Sequence, residues 1–197
     1  MNRWLVLLVT IFALLGCADR SRPSASRDAV GPSIYPLGAQ LVDQRGEHVG
    51  LDTDRGHPVI IAMFYGSCPS VCPLIISDVK RIDAALPPDV RKDTRVLLVS
   101  FDGAHDTPAE LARIAERRGL DGARWTLAAG SDDEVRPIAA ALGVTYRALP
   151  EGGFWHDSVI TTLDGEGRIT ARVDDFGKDI TPLTTAIVQT SRSHEGH

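Results

Sequence analysis

The chain has 197 residues, 43% of them hydrophobic, with a formal net charge of −5 and three cysteines. That size and apolar content suit one compact domain with its own core. The negative balance and the lack of a long basic stretch argue against nucleic acid as a partner. Cysteine is too scarce for a disulfide scaffold, and no repeat of fixed period is visible.

In chain order, "MNRWLVLLVTIFALLGC" comes first, with Arg3, an apolar run from Trp4 to Leu15, then Gly16 and Cys17. The run is too short to span a bilayer as a helix, which takes about 20 apolar residues. Residues 1–16 read as a secretory signal. The "LLGC" ending looks like a bacterial lipoprotein signal, which implies cleavage before Cys17, lipid on that cysteine and a membrane anchor. The expected location is extracytoplasmic, on the periplasmic face, where thiols meet oxidants. Residues 17–35, rich in Ser, Arg, Pro and Gly, read as a flexible tether. A domain over 36–191 and a disordered tail over 192–197 complete the expected organisation.

"AQLVDQRGEHVGL" (39–51) has the pattern of a hairpin turning at Gln44 to Gly46. "VIIAMFY" (59–65) is a continuous apolar run, as for a strand buried on both faces. Ile75, Val79, Ile82 and Leu86 then fall at helical spacing until Pro87-Pro88. "RVLLVSF" (95–101) is a second buried strand. Thr107, Pro108 and Glu110 form a helix start, with Gly119 as its stop. "RWTLAA" (124–129) is a short strand, followed by a helix capped by Ser131 and Glu134. Pro137 inside it predicts a kink or a later start. "DSVITTL" (157–163) and "RITARV" (168–173) flank the turn "DGEG", and Thr181-Pro182 opens a last helix. The order β-α-β-α-β-α-β-β-α predicts an α/β fold, a mixed central sheet with helices on both faces. Sites in such sheets form beyond the carboxyl ends of the parallel strands.

Cys68 and Cys72, in "FYGSCPSVCP", stand at that edge, where the first core strand meets its helix. A helix N-terminus lowers thiolate pKa, and four-residue spacing sets both sulfurs on one side. Two thiolates can clamp one soft ion; copper suits sulfur and imidazole, so a histidine from elsewhere is the expected third ligand. A permanent disulfide is the plainer reading, but so small a loop gains little entropy from it. His57 should lie at the far end of the sheet, His48 in the early hairpin, and His194 and His197 in the tail. His105 and His156 both reach the cysteine edge, and topology does not separate them.

"FYGSCPSVCP", "SFDGAHDTPAEL" and "FWHDSVITTLDGEGRI" together resemble the Sco/SenC family of copper-binding, thioredoxin-like proteins over most of residues 36–190. The resemblance implies a thioredoxin-like fold with an extra strand and helix, and a copper ion on Cys68, Cys72 and His156. It implies delivery of copper to, or maturation of, the binuclear copper site of cytochrome c oxidase. Further partners it suggests are another copper chaperone or a thiol reductase, with the membrane reached through the lipid anchor. Two departures stand out. Trp155 replaces the acid many relatives have before the histidine, leaving Asp157 as a substitute carboxylate, and Ser67 replaces a frequent histidine before Cys68. Asp102 and Asp106 read as loop caps. Phe154 and Trp155 read either as a docking surface or as an aromatic wall.

The first function that follows is a copper metallochaperone. The alternative is an enzyme, a thiol–disulfide oxidoreductase with Cys68 and Cys72 as its redox pair. CxxxC has one residue more than the thioredoxin CxxC, and no proline precedes the late strand, so the balance leans away from an enzyme.

Overall fold

A computed structural model describes residues 31–67, 71–174 and 177–194. The expected signal over 1–16, Cys17, the tether up to residue 30, Cys68 and residues 195–197 lie outside the described residues.

Among the described residues, nine strands and five helices follow a short 3₁₀ turn, Tyr35–Leu37. The early hairpin is β1 (Gln40–Asp43) with β2 (His48–Gly50). Then come β3 (Val59–Phe64), α1 (Val71–Ala85), a short α2 (Pro88–Asp93) and β4 (Arg95–Ser100). α3 (Pro108–Arg118), β5 (Trp125–Ala129) and α4 (Asp132–Leu142) follow. β6 (Tyr146–Ala148) and β7 (Phe154–His156) make a separate hairpin, and β8 (Val159–Leu163), β9 (Ile169–Asp174) and α5 (Thr181–His194) close the chain.

The main sheet has seven strands in the order β2-β1-β5-β4-β3-β8-β9. β3, β4 and β5 are parallel; β1 and β8 join them antiparallel on either side. Stepping from β3 to β4 to β5 moves one way across the sheet, so right-handed crossovers put α1 and α3 on one face. Lys80 of α1 donates to the Arg118 carbonyl at the end of α3 (2.7 Å), as that side-by-side packing requires. Every residue of β3 and of β8 is buried, so both faces of the sheet's middle are covered. The expected α/β class, with helices on both faces of a mixed sheet, is the observed one.

Local signals act as their chemistry dictates. The Thr107 hydroxyl accepts from Glu110 N–H (3.3 Å), Pro108 opens α3, and Gly119 closes it at φ 58°. Pro137 does not delay α4, which starts at Asp132. The carbonyl it leaves without an intrahelical donor belongs to exposed Asp133, where water can serve. Residues 31–35, read from sequence as part of the tether, are attached to the domain. Gly31 N–H donates to the Ile169 carbonyl (2.8 Å), Ile34 N–H to that of Gly167 (2.9 Å), and Ile34 and Tyr35 are buried. α5 continues past Ser191 to His194. Among the described residues, no helix is long and apolar enough to cross a membrane.

Candidate metal centre

β3 runs out at Phe64, and Phe101 N–H still pairs with the Phe64 carbonyl (3.0 Å). Beyond it the chain turns through Tyr65, Gly66 and Ser67 toward α1, in which Cys72 is the second residue. Cys72 thus enters the first turn of a fifteen-residue helix, where orphan N–H groups concentrate positive potential.

β8 lies antiparallel to β3 with Ala62 facing Ile160. Continued upward, that register brings the chain before β8 alongside Gly66. His156 is the last residue of β7, paired with Tyr146 across a hairpin outside the main sheet. Leu149 N–H and the Gly153 carbonyl close that hairpin at 3.0 Å. The period-two pattern of β7 explains its side chains: Phe154 and His156 point one way, Trp155 the other.

His156 sits in an aromatic cage. Its ring centroid is 5.8 Å from that of Tyr65 and 5.0 Å from that of Phe101. Phe101 in turn stacks on Tyr146 at 4.8 Å and meets Phe154 edge-on at 5.2 Å. Phe154 therefore belongs to the wall, whereas Trp155 is 46% exposed with the Arg147 guanidinium over its ring at 5.7 Å. Tyr65 and Phe101 directly follow β3 and β4, and Tyr146 opens β6, aromatic positions that periodicity alone did not flag.

His156 Nδ1–H donates to the Asp157 carbonyl at 2.8 Å. A carbonyl only accepts, so Nδ1 carries the proton and Nε2 the lone pair. Burial lowers the imidazole pKa, outweighing the opposing pull of Asp157, and favours the neutral, ligating form. This is the outer-shell arrangement of metal-binding histidines. Its acceptor is a backbone carbonyl; the Asp157 carboxylate is occupied elsewhere, accepting from Thr145 N–H at 2.9 Å. A cleft of about 380 Å³, lined by Trp155, His156, Asp157 and Arg172 among others, opens beside the ring.

The rival histidine is differently placed. His105 is exposed, and its Nδ1–H is held by the Asp102 carboxylate at 2.8 Å, which raises its pKa. Asp102 organises its own loop as expected: its carbonyl accepts from His105 N–H (3.0 Å) and Asp106 N–H (2.9 Å). His57 lies at the other end of the sheet, 2.6 Å from Asp93. Among the described residues, no three His, Cys, Asp or Glu side chains gather into a metal cluster.

The SCO1/SenC family profile matches residues 38–191. A Stutzerimonas stutzeri protein to which copper binding is ascribed is 28% identical over 109 residues, covering 54% of this chain and 51% of that relative. The chain thus spans about half the length of this relative. The Arabidopsis thaliana ScoI structure with copper bound superposes with a TM-score of 0.66 at 18% identity, over 84% of this chain and 99% of that one. BsSco is described as a member of the Sco family of cytochrome c oxidase assembly proteins with a disulfide switch. It superposes with a TM-score of 0.67 at 17% identity, over 77% and 90% of the two chains. These two structures establish a shared thioredoxin-like fold. With the profile match extending across its sheet and helices, the chain belongs to the SCO1/SenC family.

Proposed function

We propose that this chain is a copper chaperone that carries one copper ion on Cys68, Cys72 and His156 and serves assembly of the copper site of cytochrome c oxidase. The observation that carries the reading is the state of His156: a caged, neutral imidazole at the cysteine edge whose Nδ1 is committed to a carbonyl. The donor set of two thiolates and one imidazole suits copper. The copper-bound structure of the Arabidopsis relative and the copper binding ascribed to the Stutzerimonas protein support the same cargo. The oxidase assembly role draws on the description of BsSco.

The physical logic is transfer. Copper is the cargo, and a three-coordinate ion leaves a place for an incoming ligand, so it can pass to an acceptor by stepwise exchange. Loading needs reduced thiols, which links metal binding to thiol redox state. We further read Cys17 as lipidated, holding the domain at the extracytoplasmic face of a membrane.

A second reading, thiol–disulfide exchange by Cys68 and Cys72 on an oxidase subunit, is favoured by the disulfide switch described for BsSco. Copper titration of the reduced protein, followed by absorbance and EPR, separates the two. One copper per chain, lost in Cys68→Ser, Cys72→Ser and His156→Ala, is the expected result. Unchanged binding in all three variants rejects the site, and turnover on a protein disulfide without copper binding selects the exchange reading.

A further inference from the structure

Asp106 is 2% exposed. Its Oδ2 accepts from Gly66 N–H at 2.8 Å and from the Ser100 hydroxyl. That hydroxyl accepts from Asp102 N–H at 3.0 Å. A continuous chain therefore runs from the Asp102 amide through Ser100 Oγ and Asp106 Oδ2 to the Gly66 amide. It joins the end of β4 to the segment leading from β3 into the CxxxC loop.

The geometry is that of an interrupted ladder. Phe64 faces Ser100 in the parallel β3–β4 register, and Phe101 N–H takes the Phe64 carbonyl. Gly66 N–H then meets a side-chain carboxylate where a β4 carbonyl would have continued the pairing. The strand stops pairing there, and the chain leaves for the cysteines. Gly66 fits because it lacks a side chain: a Cβ would run into Asp106 Oδ1 and come within 2.7 Å of Ile114 Cδ1. Gly66 is two residues before Cys68.

We propose that Asp106 is a positioning residue for the metal centre: by holding the Gly66 amide it fixes the loop from which Cys68 reaches the ion. The inference rests on the metal-site reading above. Nothing requires Asp106 to touch the metal. An outer-shell partner of this kind holds a ligand in the geometry that binding needs, and its loss costs roughly 10- to 100-fold in affinity.

Two variants divide the role. Asp106→Ala removes both acceptor bonds. Asp106→Asn keeps an oxygen that can accept from both Gly66 and Ser100, and removes only the charge. Copper affinity is read in a competition titration. The pH midpoint of Cys68 alkylation by iodoacetamide is read by mass spectrometry on the reduced, copper-free protein. In Asp106→Ala, copper affinity is expected to fall about tenfold and the alkylation midpoint to rise, because a thiol released from a fixed position loses the donors that stabilise its thiolate. Asp106→Asn should restore both. A folded Asp106→Ala protein with wild-type affinity and midpoint overturns the proposal, as does an Asp106→Asn protein as impaired as the alanine variant. If the wild type binds no copper, the metal reading fails, and the alkylation midpoint alone decides the positioning role. If Asp106→Ala does not fold, Ser100→Ala takes its place. A smaller shift in the same direction supports the proposal and none overturns it.

Discussion

Two buried aspartates sit at opposite ends of the sheet and are held in opposite ways. Asp83, late in α1, takes Arg91 Nε at 2.9 Å and Arg124 Nη1 at 2.8 Å, so two guanidinium charges offset one carboxylate. Asp106, beyond the carboxyl end of β4, has a hydroxyl and a backbone amide as its donors. The Asp83 carboxylate raises the Arg124 pKa, as a partnered cation should behave. Burial pushes the Asp106 carboxyl up, against the pull of Ser100 and Gly66. The far end is built for stability, tying α1, α2 and the entry to β5 together. The cysteine end keeps a buried acid that is poorly compensated, and such local conflicts tend to persist where function needs the geometry.

The contrast breaks hardest at Asp83. Asp83→Ala leaves two guanidiniums facing the place of the lost charge, one of them, Arg124, only 14% exposed. Breaking such a pair costs about 3 kcal/mol, at the low end of the buried range because Arg91 is half solvated. Urea unfolding should show a lower midpoint with an unchanged slope. A loss below about 1 kcal/mol would mean that the far end is held no better than a surface pair.

A smaller effect is expected from Phe101→Leu, which removes the ring that Tyr65, Tyr146, Phe154 and His156 share. The lost ring contacts amount to about 1 kcal/mol. The sharper readout is local: the His156 ring-proton NMR signals should move while those of His57, at the far end, stay in place. Unmoved His156 signals would mean that the cage does not set the imidazole.

The framework between the two ends is more legible in the sequence than either end. Long apolar runs, helical spacing, Pro108 and Gly119 depend on local chemistry, and they mark β3, β4, β5, β8, α1, α3, α4 and α5, whereas the Asp83 ion pairs join three segments that no local pattern links. The hairpin of β6 and β7 was hidden because each strand has three residues and Gly152-Gly153 reads as an open loop. His156 was expected at the cysteine edge, and its ring lies against Tyr65 and Phe101, but its commitment to the Asp157 carbonyl is a backbone contact no pattern encodes. Asp106 read as a loop cap, since burial depends on Gly66, Ser100 and Ile114 arriving from three separate segments. The gap is thus one between the locally determined framework and the long-range contacts at both of its ends.

The subtlest test concerns how Asp106 bears on stability across pH. Its folded-state pKa lies above its ordinary value, because burial penalises the charged form. Well below about pH 4 the carboxyl is protonated in both the folded and unfolded chain, and the penalty is absent. As pH rises, the unfolded chain ionises first, so the contribution of Asp106 to stability declines until the folded carboxyl ionises as well, and then levels off. Asp106→Asn carries no such proton. Urea unfolding of both proteins in steps from pH 4 to pH 7 should therefore show the stability difference moving steadily in favour of asparagine, with the steepest change on the acid side. A difference that stays flat, or moves in favour of aspartate, would show that this carboxylate is as well compensated as Asp83. The two ends of the sheet would then differ in geometry alone.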